Sequence, residues 1–93
     1  MELTDNALDR FPELNSKIQH EILHQLEKWG VQTHSPFEWL AYTTEELGEL
    51  SNAISENYYR GGLVEPVIQE AIQVATLALK IAEMYMCTLV SKE

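Results

Sequence analysis

Glu45, Glu46 and Glu49 fall within five residues, and Glu70 and Gln73 follow after twenty intervening positions. Carboxylates crowded in this way suit a hard divalent cation, because Mg²⁺ takes oxygen ligands at about 2.0–2.1 Å and keeps other positions for water or phosphate oxygens. Side chains three residues apart on a helix start about 5–6 Å from each other, so two such pairs on neighbouring helices can converge on one or two ions. The plainer reading of the same spacing is a solvated acidic rim, since glutamate is a good helix former and common on exposed helix faces. Spacing alone favours the rim.

The elements that must position these residues are helical. Leu8, Phe11, Leu14, Ile18, Ile22, Leu26 and Trp29 recur every three or four residues and predict a first helix. Pro12 suits a first turn, which starts the regular helix near residues 9–12, and Gly30 supplies its stop. Ser35-Pro36-Phe37-Glu38 combines an N-cap serine, proline at the first helical position and glutamate at the third, a capping box that starts a second helix at Pro36. Leu40, Leu47, Leu50 and Ile54 carry that helix to about Tyr59, where Gly61-Gly62 breaks it. Pro66 reopens a third, long helix with no further glycine or proline. On the second helix Glu45, Glu46 and Glu49 share an arc of about 100°, with Glu46 bordering the apolar stripe, Glu49 beside it and Glu45 furthest out.

No strand-like alternation, repeat or low-complexity tract interrupts the pattern, so the expected fold is all-α: one domain over residues 1–93, an antiparallel bundle of three main helices. The third helix is apolar over more than half its circumference, too much for two helices to cover. That excess, in a chain of 93 residues, predicts a homo-oligomer, dimer or tetramer, completing a four-helix or larger bundle, with Ile68, Ile72, Leu79 and Met86 at the interface. A formal charge of −9 argues against nucleic acid or anionic membrane as partners. The apolar stretch 71–90 is interrupted by Gln73, Lys80 and Glu83 and reads as a buried helix rather than a membrane span. The single Cys87 and an N-terminus without a secretory pattern point to the cytoplasm.

At the carboxylates the chain resembles the MazG-like, all-α nucleoside triphosphate pyrophosphohydrolases, whose signature is E-E-x-x-E followed by E-x-x-D. Here it reads Glu45-Glu46-Leu47-Gly48-Glu49, then Glu70-Ala71-Ile72-Gln73. The lead-in Lys28-Trp29-Gly30-Val31-Gln32-Thr33-His34 with Trp39-Leu40 is similar to that of the short, phage-type members, so the likeness spans about residues 20–85. The resemblance implies Mg²⁺-dependent hydrolysis, with Mn²⁺ as a substitute, of a nucleoside triphosphate to the monophosphate and pyrophosphate. It implies Glu46, Glu49 and Glu70 as metal ligands and Glu45 with Glu46 as catalytic, Glu45 orienting or deprotonating the attacking water. Gln73 departs from the pattern. It stands where the family has aspartate, so the fourth metal position loses a charge while keeping an amide oxygen that can coordinate; the departure implies either a variant with a shifted metal site or weaker metal binding and turnover.

An acidic chain needs cations for a triphosphate, and Arg60 beside the glycine turn and Lys80 are the first candidates, with Lys28 behind them. Trp39, Gln32 and His34 are candidates to bind the nucleoside, with Tyr42 one turn from Trp39. Trp29, at the end of the first apolar stripe, reads as core. His20 and His24 have the spacing of zinc ligands but read as a surface pair. Tyr58 and Tyr59 are expected to pack under the following loop. The competing function is a non-catalytic helical interaction protein that keeps the framework without the fourth anionic ligand.

Overall fold

The computed structural model describes residues 10–30 and 33–92, with side chains up to residue 89. Three α-helices account for nearly all of them: α1 (Glu13–Trp29), α2 (Pro36–Arg60) and α3 (Glu65–Lys92). No strand forms among the described residues. The chain is all-α.

The helix boundaries follow from local chemistry. Pro12 holds helical angles just ahead of Glu13, so α1 begins immediately after the proline rather than before it. Gly30 ends α1 at φ 70°, and its N–H donates to the Leu26 carbonyl at 2.8 Å. At the start of α2 the capping box is complete: the Glu38 N–H donates to Ser35 Oγ at 3.2 Å, and the Ser35 N–H to Glu38 Oε1 at 3.0 Å. Gly61 closes α2 in the left-handed region at φ 67°, which a side chain would disfavour. The Gly62 N–H donates to the Glu56 carbonyl at 3.0 Å, and Asn57 Nδ2 donates to the Gly62 carbonyl at 2.7 Å, so the turn into α3 is tightly held.

α3 is the central element. It packs along α2 and, over a shorter length, along α1, while α1 and α2 do not approach each other closely. The helices are therefore an open arrangement whose inner ridge is thin. Only Trp39, Thr76 and Leu77 are buried among the described residues, and the Thr76 hydroxyl satisfies itself by donating to the Ile72 carbonyl at 2.8 Å.

The third helix is only partly buried: Thr76 and Leu77 are buried and the sides toward α1 and α2 are half-covered, while Ala71, Ala78, Leu79, Tyr85, Met86 and Leu89 are exposed. By length and composition alone, Glu65–Leu89 could cross a membrane. Trp29 is not core. It is 59% exposed, with Lys28 Nζ 4.9 Å from its ring centre, because α1 packs on α3 and not on α2. Tyr58 and Tyr59 do not tuck under the loop; they lie exposed, edge to face with each other at 4.9 Å between ring centres.

Candidate metal and nucleotide site

Glu46 reaches its position because it lies on the ridge of α2 that faces α3, in line with Trp39, Leu50 and Ala53 at helical spacing. It is half-buried, whereas Glu45 and Glu49, on the flank of α2, are exposed. Glu70 and Gln73 are half-buried on the facing side of α3. The result is a cluster across the α2–α3 interface: single oxygens of Glu46, Glu49 and Glu70 all lie within 4.8 Å of one another.

That spacing fits one small cation. Oxygens bound to a common Mg²⁺ at about 2.0–2.1 Å stand roughly 3–4 Å apart, a modest closure from the observed separation that glutamate rotamers can supply. The electrostatics also fit. Burial, a hydrogen bond with Glu70 and the charge of Glu49 push the Glu46 carboxyl up from 4.5 to about 7. Gathered negative charge of this kind is relieved either by a proton or by a cation.

Gln73 relieves part of it. With its amide NH₂ turned to the acids, Nε2 donates to Glu46 Oε2 at 2.7 Å and to Glu70 Oε2 at 3.3 Å. The position expected to hold the fourth ligand thus carries a donor that bridges two of the carboxylates, a task aspartate could not perform.

Next to the acids, an aromatic hollow of about 370 Å³ lies between α1 and α2, with Leu77 of α3 among its lining. Trp29, His34, Trp39, Tyr42, Gln25, Glu45 and Glu46 complete the lining. His34, Trp39 and Tyr42 meet edge to face in all three pairings, at 5.0, 5.3 and 6.1 Å between ring centres. His34 is further held by Glu38, whose Oε2 is 3.4 Å from Nδ1. The Glu38 carboxyl titrates below its usual value, chiefly because it accepts the Ser35 backbone hydrogen bond. The helix cap thus also anchors a wall of the hollow. A cavity of this size with aromatic walls and carboxylates at one edge suits a small amphipathic ligand.

The structure brings together Glu45, Glu46, Glu49, Glu70, Gln73, Trp39 and His34. Lys80 lines an adjoining hollow of about 240 Å³ that shares Trp39 and Gln25 with the first. Arg60 is not gathered. It pairs with Glu56 at 3.3 Å, roughly 16 Å along the helix axis from Glu49 at 1.5 Å per residue. Glu56 is likewise outside the cluster, and Gln32 lies outside the described residues. Gln25 was not legible as a site residue; its one signal is its place one turn before Trp29 on α1.

No protein-family profile, curated protein or solved structure matches the chain.

Proposed function

We propose that the chain is a nucleotide pyrophosphohydrolase, cleaving a nucleoside triphosphate into the monophosphate and pyrophosphate with Mg²⁺, or Mn²⁺ in its place. The observation that carries this reading is the meeting of Glu46, Glu49 and Glu70 across α2 and α3 at the edge of an aromatic hollow. Glu46, Glu49 and Glu70 would hold the cation. Bound there, Mg²⁺ would neutralise phosphate oxygens, polarise phosphorus and lower the pKa of a coordinated water.

The remaining work falls to the chain's own groups. Trp39, with His34 and Tyr42, offers ring faces and edges for a base, and the ring-to-ring contacts keep these side chains ordered before ligand arrives. Glu45, exposed yet lining the hollow, orients the attacking water and takes its proton. Lys80 supplies a cation from the adjoining hollow. The resemblance of the Glu45–Glu49 and Glu70–Gln73 segments to the MazG-like enzymes supports the same reaction, and the reading goes with a cytoplasmic protein that binds neither nucleic acid nor membrane.

One observation favours a second reading. Because Gln73 bridges Glu46 and Glu70, the cluster is partly satisfied without any ion, as a non-catalytic interaction protein would need. Incubation with a panel of common and modified nucleoside triphosphates and millimolar Mg²⁺ separates the two. Equal amounts of monophosphate and pyrophosphate support the enzyme; no product with any nucleotide, together with no Mg²⁺- or Mn²⁺-dependent rise in melting temperature, supports the interaction protein.

A further inference from the structure

The groove between α1 and α3 gathers a second set of ligand-bearing side chains, none of them shared with the acidic cluster. Its volume is about 460 Å³. Along α1 it is lined by Lys17, His20, Glu21 and His24, whose spacing of three, one and three residues places them on one helical face. From α3 come Glu65, in the first turn, and Gln69 one turn on, with Ile68 and Ile72 as the apolar lining.

His20 and His24 have ligand spacing, but a histidine pair alone on one helix is an ordinary surface feature. The fold adds what spacing cannot show. It sets a carboxylate of a different helix, Glu65, against the same hollow as the two imidazoles. Among the described residues His20, His24 and Glu65 make no hydrogen bond or ion pair, whereas Glu21 Oε1 already accepts from Gln25 Nε2 at 3.2 Å. Glu65 is therefore the available carboxylate. Lys17 is the one fixed positive charge lining the groove, and Glu21, one turn further along α1, offsets it. With neutral imidazoles the groove thus keeps the negative charge of Glu65, which favours a cation.

We infer that His20, His24 and Glu65 form a binding site for a transition-metal dication of the zinc class, joining α1 to α3. Imidazoles four residues apart on a helix start about 5–6 Å from each other at Cβ. Rotamer changes at three exposed side chains bring two nitrogens to about 2.0–2.1 Å and one carboxylate oxygen to about 2.0–2.2 Å from a single ion, with water in the fourth position. Ligand type separates this site from the acids on α2. Imidazole suits zinc, copper and nickel, whereas a set of oxygens alone suits magnesium. The consequence is mechanical. α1 packs along α3 over a shorter length than α2 does, and Gln25 and Trp29 of α1 wall the aromatic hollow, so an ion bound by His24 and Glu65 fastens that wall. The site stands independently of the nucleotide reading.

The test is calorimetric titration of Zn²⁺ into the native chain at about pH 7.5, where imidazole is largely neutral. Zn²⁺ should fill a tight class of one ion per chain and raise the melting temperature. His20→Ala, His24→Ala and Glu65→Gln should each weaken that class at least about tenfold, the loss that even an outer partner of a metal ligand typically causes. All three side chains are exposed, so the helical circular dichroism should not change. Glu70→Gln and Cys87→Ser should bind Zn²⁺ as the native chain does. Native affinity in Glu65→Gln would leave a bare histidine pair on one helix and overturn the site between helices. Absence of saturable Zn²⁺ binding overturns it as well, and so does loss of binding in Glu70→Gln or Cys87→Ser, which would move the ion to the acids or the thiol. A rise in mass on adding Zn²⁺, read by light scattering, would assign the ligands to two copies and contradict a site within one chain. Each of these results leaves the binding of Mg²⁺ by the acidic cluster to its own titration.

Discussion

The two flanks of α2 use one helix for opposite purposes. On one side Glu45, Glu46 and Glu49 gather charge against α3 and border an aromatic hollow; on the other Leu47, Ile54 and Tyr58 lie uncharged and exposed. On the acidic flank the acids, the Gln73 bridge and the ring contacts of His34, Trp39 and Tyr42 give the side chains partners of their own. The apolar flank differs. Among the described residues Leu47, Ile54 and Tyr58 stay about half or more exposed, and the buried ridge between the flanks contains Trp39, Thr76 and Leu77. A core this thin leaves much of the apolar flank of α2 in water, on the side of the helix away from the acids and the aromatic hollow.

The largest expected effect isolates the acidic flank. Glu46→Gln or Glu70→Gln should reduce pyrophosphate release by a factor on the order of 10² or more, with the helical circular dichroism unchanged, because a ligand charge is lost without opening a cavity. Full release by either variant would remove that residue from the site. Trp39→Ala joins the two regions, since Trp39 is both core and hollow wall. It should lower stability by about 3 kcal/mol and also weaken nucleotide binding. A large loss of stability with unchanged KM would confine Trp39 to the core.

Smaller effects sharpen the electrostatics. The folded Glu46 carboxyl, at about 7, lies above its ordinary 4.5, so the folded chain holds a proton that the unfolded chain releases. The stability linked to that proton is complete below pH 4.5 and is lost as pH rises through about 7. Without metal, the melting temperature should therefore fall between about pH 5 and pH 8, and Glu46→Gln should flatten the decline. An identical decline in the variant would assign it to other groups. Gln73→Asp replaces the bridging donor with a fourth carboxylate: melting temperature should drop slightly without metal and exceed the native value with Mg²⁺. If neither changes, Gln73 lies outside the coordination shell. Ser35→Ala, which removes half of the capping box, should cost about 1 kcal/mol in chemical denaturation and loosen His34 through Glu38.

Much of this architecture is legible in the sequence because its signals are local. Ser35 to Glu38 states a helix start in four residues, and Gly30, Gly61 and Pro66 state the stops and restart. That Glu46 lies innermost of the three acids on α2 also follows from helical angle, Glu45 and Glu49 both being exposed. What was not legible depends on where neighbours lie. Trp29 ends an apolar stripe, yet α1 packs on α3 and not on α2, which leaves it exposed; His34 sits in a loop, yet the capping box turns it onto Trp39 and Tyr42. Leu47, Leu50 and Ile54 read as one stripe, whereas Leu50 faces α3 and the other two face outward. Periodicity reports that a side of a helix is apolar, not which neighbour covers it. Of the interface residues expected on α3, Ile68 and Ile72 line the groove toward α1, and Leu79 and Met86 are exposed.

Glu46, Glu49 and Glu70 should act as one cation site, and calorimetric titration of Mg²⁺ reads this out. At pH 8, where Glu46 is deprotonated, the native chain should bind Mg²⁺ saturably, more weakly at pH 6 as protons compete, and Glu70→Gln should lose most of the affinity. Absence of saturable heat with the native chain, or equal affinity in Glu70→Gln, would contradict it.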